Sequence, residues 1–159
     1  MDSIKELVGI IKDRDLYISA GLTALFQFAV FATTYTFTPV IAKSIGMSDI
    51  SIGLLTSLFT LAGIVSALIS GTILTQLFGP KKTVALSFGM SGIAFALMPF
   101  VNSMGFLYLL QVVAGLAMGM ILPLLMGQCL KNIPKEKKGT AMGFYQATYG
   151  IGMVLGPYI

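Results

Sequence analysis

Charged side chains divide this sequence into blocks. All 16 fall within four short segments, 1–16, 43–49, 79–82 and 131–138, which with the polar pair at 102–103 hold 37 residues. The remaining 122 residues form five uncharged, predominantly apolar stretches, 17–42, 50–78, 83–101, 104–130 and 139–159, each 19 to 29 residues long. At about 1.5 Å of rise per residue, roughly 20 helical residues cross a hydrocarbon layer about 30 Å thick. Every stretch reaches that length, and the longer ones must tilt or enter the headgroups. The runs do not alternate and are too long for barrel strands of about ten residues. The pattern therefore predicts five transmembrane helices and an all-α, polytopic integral membrane bundle over 17–159, preceded by a polar segment over 1–16.

Composition excludes the main alternatives. Hydrophobic residues make up 56% of the chain and charged residues 10%. A soluble helical core would need a polar face on each helix, and five uncharged runs supply none. The first run is too long for a signal-peptide core and follows 16 residues rich in charge. Cys129 is the sole cysteine and can form no internal disulfide.

Charge sets the expected orientation. Alternating the loops between two sides puts Lys5, Lys12, Arg14, Lys81, Lys82, Lys131, Lys135, Lys137 and Lys138 on one side and only Lys43 on the other. The positive-inside rule then predicts a cytoplasmic N-terminus in the cell membrane. The net charge of +4 reflects topology, not nucleic-acid binding. Within the first segment, Ser3 and Glu6 have capping-box spacing, and Ile4, Leu7, Val8 and Ile11 share a face, which predicts a short interfacial helix over 3–14. Gly79 and Pro80 end the second helix; Asn102 and Ser103 form so short a turn that the third and fourth helices must be antiparallel neighbours.

Helices in lipid associate where small residues let backbones approach. Gly63, Ala67 and Gly71 repeat at four-residue spacing in the second stretch. Gly115, Gly119, Pro123 and Gly127 do so in the fourth, and Gly143, Gly150, Gly152 and Gly156 thin one side of the fifth. Pro39, Pro99 and Pro123 lie in or near the ends of spans and are expected to loosen them.

Three motifs carry a family resemblance. Gly143, Gly152, Gly156 and Pro157, in GFYQATYGIGMVLGP, resemble the glycine-proline antiporter motif of the major facilitator superfamily. Gly71, Phe78, Gly79, Pro80, Lys81 and Lys82 resemble its cytoplasmic loop motif, with the acid and its basic neighbour replaced by Gln76 and Leu77 or Thr75 and Gln76. In LQVVAGLAMG, Gln111 stands where the family has an arginine before a glycine, here Gly115. Loss of the charged members resembles the superfamily's second half, and KDRD at 12–15 is similar to the end of its central loop; both favour helices seven to eleven over one to five. The resemblance implies a transporter working by alternating access, and partner helices of the same protein beyond these five; the bare end at Ile159 reads as truncation.

The chain has no histidine and no acid inside a span, so nucleophilic and metal catalysis lack their residues and no cofactor is expected. It also lacks an intramembrane carboxylate to relay a proton. The substrate-path candidates are polar groups within spans. Gln27, Thr34 and Thr38 share a face of the first, with Tyr35 beside them; Gln111 lies on the fourth and Gln146 and Tyr149 on the fifth. The family resemblance implies that these could line a central cavity. Hydrogen bonding between helices, or of Thr34 and Thr38 to their own preceding carbonyls, is the competing role. Gly71, Gly79, Gly115, Gly119, Gly143, Gly152, Gly156 and Pro157 are the packing and conformational candidates. The expected partners are the lipid bilayer, the further helices and a small organic solute. A membrane scaffold that moves nothing is the rival function.

Overall fold

The structure is a computed structural model in which residues 13–158 are described. Five helical rods make up most of it. Rod α1 spans Arg14–Ser44, α2 Asp49–Phe78, α3 Pro80–Phe100 and α4 Met104–Cys129, and these four are long and apolar enough to cross a membrane. Rod α5, Lys138–Leu155, ends in a 3-10 turn over Gly156–Tyr158. At 18 residues it is shorter and less apolar than the others, because Thr140, Tyr145, Gln146, Thr148 and Tyr149 interrupt its hydrophobic side chains. The charges on the rods sit in their end turns. Most of the interfacial helix expected over 3–14 lies outside the described residues; Arg14 opens α1 and Asp13 caps it, its carboxylate accepting from the N–H groups of Asp15 and Leu16 at 3.0 Å.

Local chemistry sets the rod ends. Gly46 and Gly79 adopt φ of 81° and 77°, a region that side-chain-bearing residues avoid, and so allow the chain to leave α1 and α2 sharply. Pro80 follows at once as the first residue of α3, where its missing N–H costs nothing. Ser48 caps α2 and Ser103 caps α4 through their hydroxyls. Asn102 and Ser103 do form the tight turn that folds α3 back on α4.

Neither α1 nor α2 is α-helical throughout. Residues Phe31–Phe37 and Ser70–Leu74 form π-helix. Hydroxyls hold both open: Thr36 donates to the Phe31 carbonyl at 3.0 Å, Thr38 to Thr33 at 3.0 Å and Thr75 to Ser70 at 2.6 Å, each reaching back five residues. Pro39 has no N–H to offer the Tyr35 carbonyl, which favours the wider turn just before it. Pro99 falls in the 3-10 turn ending α3. Rod α4 continues through Pro123, leaving the Gly119 carbonyl without its usual donor.

Contacts fix how the rods run. Tyr108 meets Ser51, Gly115 meets Phe59 and Gly119 meets Gly63, so α2 and α4 are parallel. Thr23 meets Tyr145, Ala24 meets Gly152 and Phe28 meets Gly156, so α1 and α5 are parallel as well. Rod α4 lies between, antiparallel to α1: Asn132 donates to Asp15 at one end and Gln111 to Thr38 at the other. Two clusters of buried side chains fill the bundle. The larger includes Val30, Leu55, Phe59, Leu107 and Ile121, and the smaller joins Leu16, Ala20, Cys129, Ala141 and Tyr145.

Candidate functional site

The first group of candidates lies on α1 and α4, which meet where Gln111 bonds to Thr38. Gln27, Thr34 and Thr38 are all buried along one side of α1, and Gln111 on α4 is completely buried. Gln111 Nε2 donates to Thr38 Oγ1 at 2.7 Å, and that hydroxyl in turn donates a hydrogen bond to the Thr33 carbonyl. Three buried side-chain atoms in the described residues find no hydrogen-bond partner, and all belong to this group: Gln27 Oε1, Thr34 Oγ1 and Gln111 Oε1. An unpartnered buried polar atom costs about 1–3 kcal/mol. Their concentration on two facing helices marks the seam as polar beyond what packing needs. Of the two threonines expected to bond backward, Thr38 does so and Thr34 does not.

Tyr35 points elsewhere. It is 41% exposed and lines an open groove of about 260 Å³ between α1, α2 and α4, with Phe59, Thr60, Gly63, Met118 and Gly119. Its ring meets Phe31 at 4.8 Å and the edge of Phe59 at 6.1 Å. The wall is apolar apart from the side chains of Tyr35 and Thr60. The groove reaches the backbone of α2 and α4 because Gly63 and Gly119 present no side chains.

Rod α5 does not join this group. Gln146 is exposed and Tyr149 is half-buried, its ring edge-on to Tyr145 at 5.5 Å. The buried polar group of α5 is Tyr145, whose hydroxyl pairs with Thr23 at 2.9 Å. Neither residue stood out in the sequence. Two other interhelical bonds were equally hidden: Ser66 donates to the Leu116 carbonyl at 2.6 Å and Tyr108 to Ser51 at 3.1 Å. The available signal was that hydroxyls inside a span must find partners somewhere.

The glycine candidates separate by environment. A methyl group on Gly115 would run into the Phe59 carbonyl, on Gly119 into the Gly63 carbonyl and the Ser66 hydroxyl, on Gly152 into the Ala24 carbonyl, and on Gly156 into Phe28, Phe31 and Ala32. These four are where helices touch backbone to backbone. Gly71 and Gly143 have nothing within 4 Å of such a methyl. Gly79 serves the α2–α3 turn through its positive φ, and Pro157 is exposed in the terminal turn. Among the described residues no cluster of three or more His, Cys, Asp or Glu side chains is placed to hold a metal.

Comparison with known proteins places this architecture. Residues 20–159 match the family model of the Major Facilitator Superfamily. The chain is also similar to an uncharacterized MFS-type transporter of Methanocaldococcus jannaschii, 24% identical over 143 residues that cover 83% of this chain and 36% of the relative. It thus spans about a third of the length of that curated relative. Four long apolar helices, a fifth that packs parallel to the first through Gly152 and Gly156, and a match over nearly the whole sequence agree: this chain belongs to the Major Facilitator Superfamily.

Proposed function

We propose that this chain forms part of a secondary active or facilitative transporter that moves a small organic solute across the cell membrane by alternating access. The observation that carries the reading is the polar seam of α1 and α4, where Gln27, Thr34 and Gln111 hold three buried acceptor atoms without partners. Family membership supplies the context. On this reading Gln27, Thr34, Thr38 and Gln111 bind or gate the solute, Tyr35 borders its path, and the exposed Gln146 and half-buried Tyr149 meet it on the side of α5 turned to the further helices of the protein. The chain's groups are neutral there, so it recognises solute through hydrogen bonds and apolar contact, and any proton carrier lies on helices outside this chain. Its role is transport and not catalysis. The loss of charged motif members favours helices seven to eleven.

The N-terminus is cytoplasmic on this reading. Arg14, Lys81, Lys82, Lys131, Lys135, Lys137 and Lys138 all lie at rod ends or loops of one face, whereas Lys43 alone, paired with Asp49 at 3.5 Å, lies at the other. Gly152 and Gly156 provide the close contact along which α5 shifts against α1 as the bundle rocks.

The test is solute uptake by the protein in proteoliposomes. Thr34→Val and Gln27→Leu should raise KM for the transported solute, and Gly152→Leu with Gly156→Leu should abolish uptake while membrane insertion persists. Unchanged uptake in all of these variants would remove these residues from the path, and no uptake by the unaltered protein would favour the scaffold function instead.

A further inference from the structure

The basic end of the bundle carries a second candidate site, formed where α1 and α3 begin and α4 ends. The side chain of Asn132 donates to Asp15 at 2.8 Å and ties the start of α1 to the end of α4. Two adjoining clefts, of about 380 and 450 Å³, meet there and share Asp15, Lys81 and Gln128. Arg14 borders one and Lys131 the other, so three cations surround the junction. None of the three has a carboxylate within 4 Å among the described residues, whereas Lys43 at the far end pairs with Asp49. The single acid present, Asp15, is already engaged by the Asn132 amide. The uncapped N-terminus of α3 adds partial positive charge beside Lys81.

The walls have the opposite character. Leu22 on α1, Val84 on α3 and Leu125 on α4 line the cleft leading away from the cations along the rods. A free anion would leave that apolar wall uncovered. A soluble protein partner would have to reach below the rod ends to touch it. A molecule with an anionic head and a hydrocarbon tail matches both parts, and basic clefts between helices at the membrane surface favour anionic lipid headgroups.

We propose that this cleft binds an anionic phospholipid, its phosphate held by Arg14, Lys81 and Lys131 and an acyl chain laid along Leu22, Val84 and Leu125. The cations gain little from one another and repel, so a bound phosphate steadies three rod ends at once. Binding stabilises whichever arrangement of α1, α3 and α4 keeps the three cations together.

The purified protein in a neutral detergent tests this through thermal unfolding and native mass spectrometry with added lipid. Phosphatidylglycerol should raise the unfolding temperature and remain bound in the mass spectrum, while phosphatidylcholine and inorganic phosphate at equal concentration do neither. Lys81→Gln and Lys131→Gln should each weaken phosphatidylglycerol binding about five-fold, and together by more than either alone. Lys81→Arg should retain binding, and Lys43→Gln, at the opposite end, should leave it unchanged. Equal response to phosphatidylcholine would overturn the charge recognition, and equal response to inorganic phosphate would overturn the lipid assignment. Undiminished binding in the double variant would overturn the site.

Discussion

Gln111 donates its amide proton to the Thr38 hydroxyl at 2.7 Å, joining two buried side chains from spans that are 73 residues apart in sequence. Thr38 passes the bond on to the Thr33 carbonyl, which it can reach because the helix there is π. The seam between α1 and α4 is thus connected to the backbone irregularity of α1 by a single hydroxyl.

That relay predicts unequal effects from its two ends. Thr38→Val removes the acceptor and strands a buried amide proton, at a cost of about 1–2 kcal/mol. Gln111→Leu removes both the donor and the unpartnered Oε1 and should cost less than about 1 kcal/mol. The double variant should be more stable than Thr38→Val alone. Unfolding in detergent and a double-mutant cycle measure all three; additive losses would show that the two side chains do not interact.

Glycine contacts predict which small residues tolerate growth. Gly119→Ala pushes against the Gly63 carbonyl and should destabilise the protein by about 1–3 kcal/mol. Gly127→Ala has open space and should be neutral or gain up to about 1 kcal/mol from helix propensity. Similar losses at both positions would mean that α2 and α4 are not held by this close approach.

Tyr145→Phe tests the α1–α5 contact. It deletes the bond to Thr23, whose hydroxyl keeps its own partner at the Ser19 carbonyl, 2.8 Å away. The loss should be about 0.5–1 kcal/mol, the usual worth of a hydrogen bond within a membrane bundle. A loss as large as that of Gly152→Leu would assign the contact to the hydroxyls and not to the glycines.

Orientation can be read by labelling. With Cys129 replaced by Ala, Ser48→Cys should react with a membrane-impermeant maleimide added to intact cells, and Lys82→Cys should react only after permeabilisation. Both positions are exposed in the structure and lie at opposite rod ends. The reverse pattern would invert the bundle.

The rods were legible in the sequence because charge is so costly inside a membrane that Lys81, Lys82 and Lys135 had to mark their ends. Burial partners were not. Gly119 and Gly127 belong to one four-residue repeat, yet only Gly119 faces another backbone, since helix spacing records a face and not its neighbour. The same limit separated Tyr145 from Gln146: adjacent polar residues of α5 point to the bundle and away from it. Among the path candidates, Gln27, Thr34 and Thr38 could be grouped by spacing on one helix. The link of Thr38 to Gln111 depended on how α1 and α4 cross, which periodicity does not encode. The π turns escaped notice because a hydroxyl reaching back five residues looks, in sequence, like one reaching back four.

The parallel pairing of α1 with α5 also has a cost in time. Thr23 and Tyr145 are 122 residues apart, and a ribosome adding about 5–20 residues per second needs roughly 6–24 s to supply the second after the first. For that interval the α5-facing side of α1 waits in the nascent chain without its match. Biogenesis therefore favours a holding step in which the insertion machinery, or a neighbouring span, shelters that face until α5 emerges.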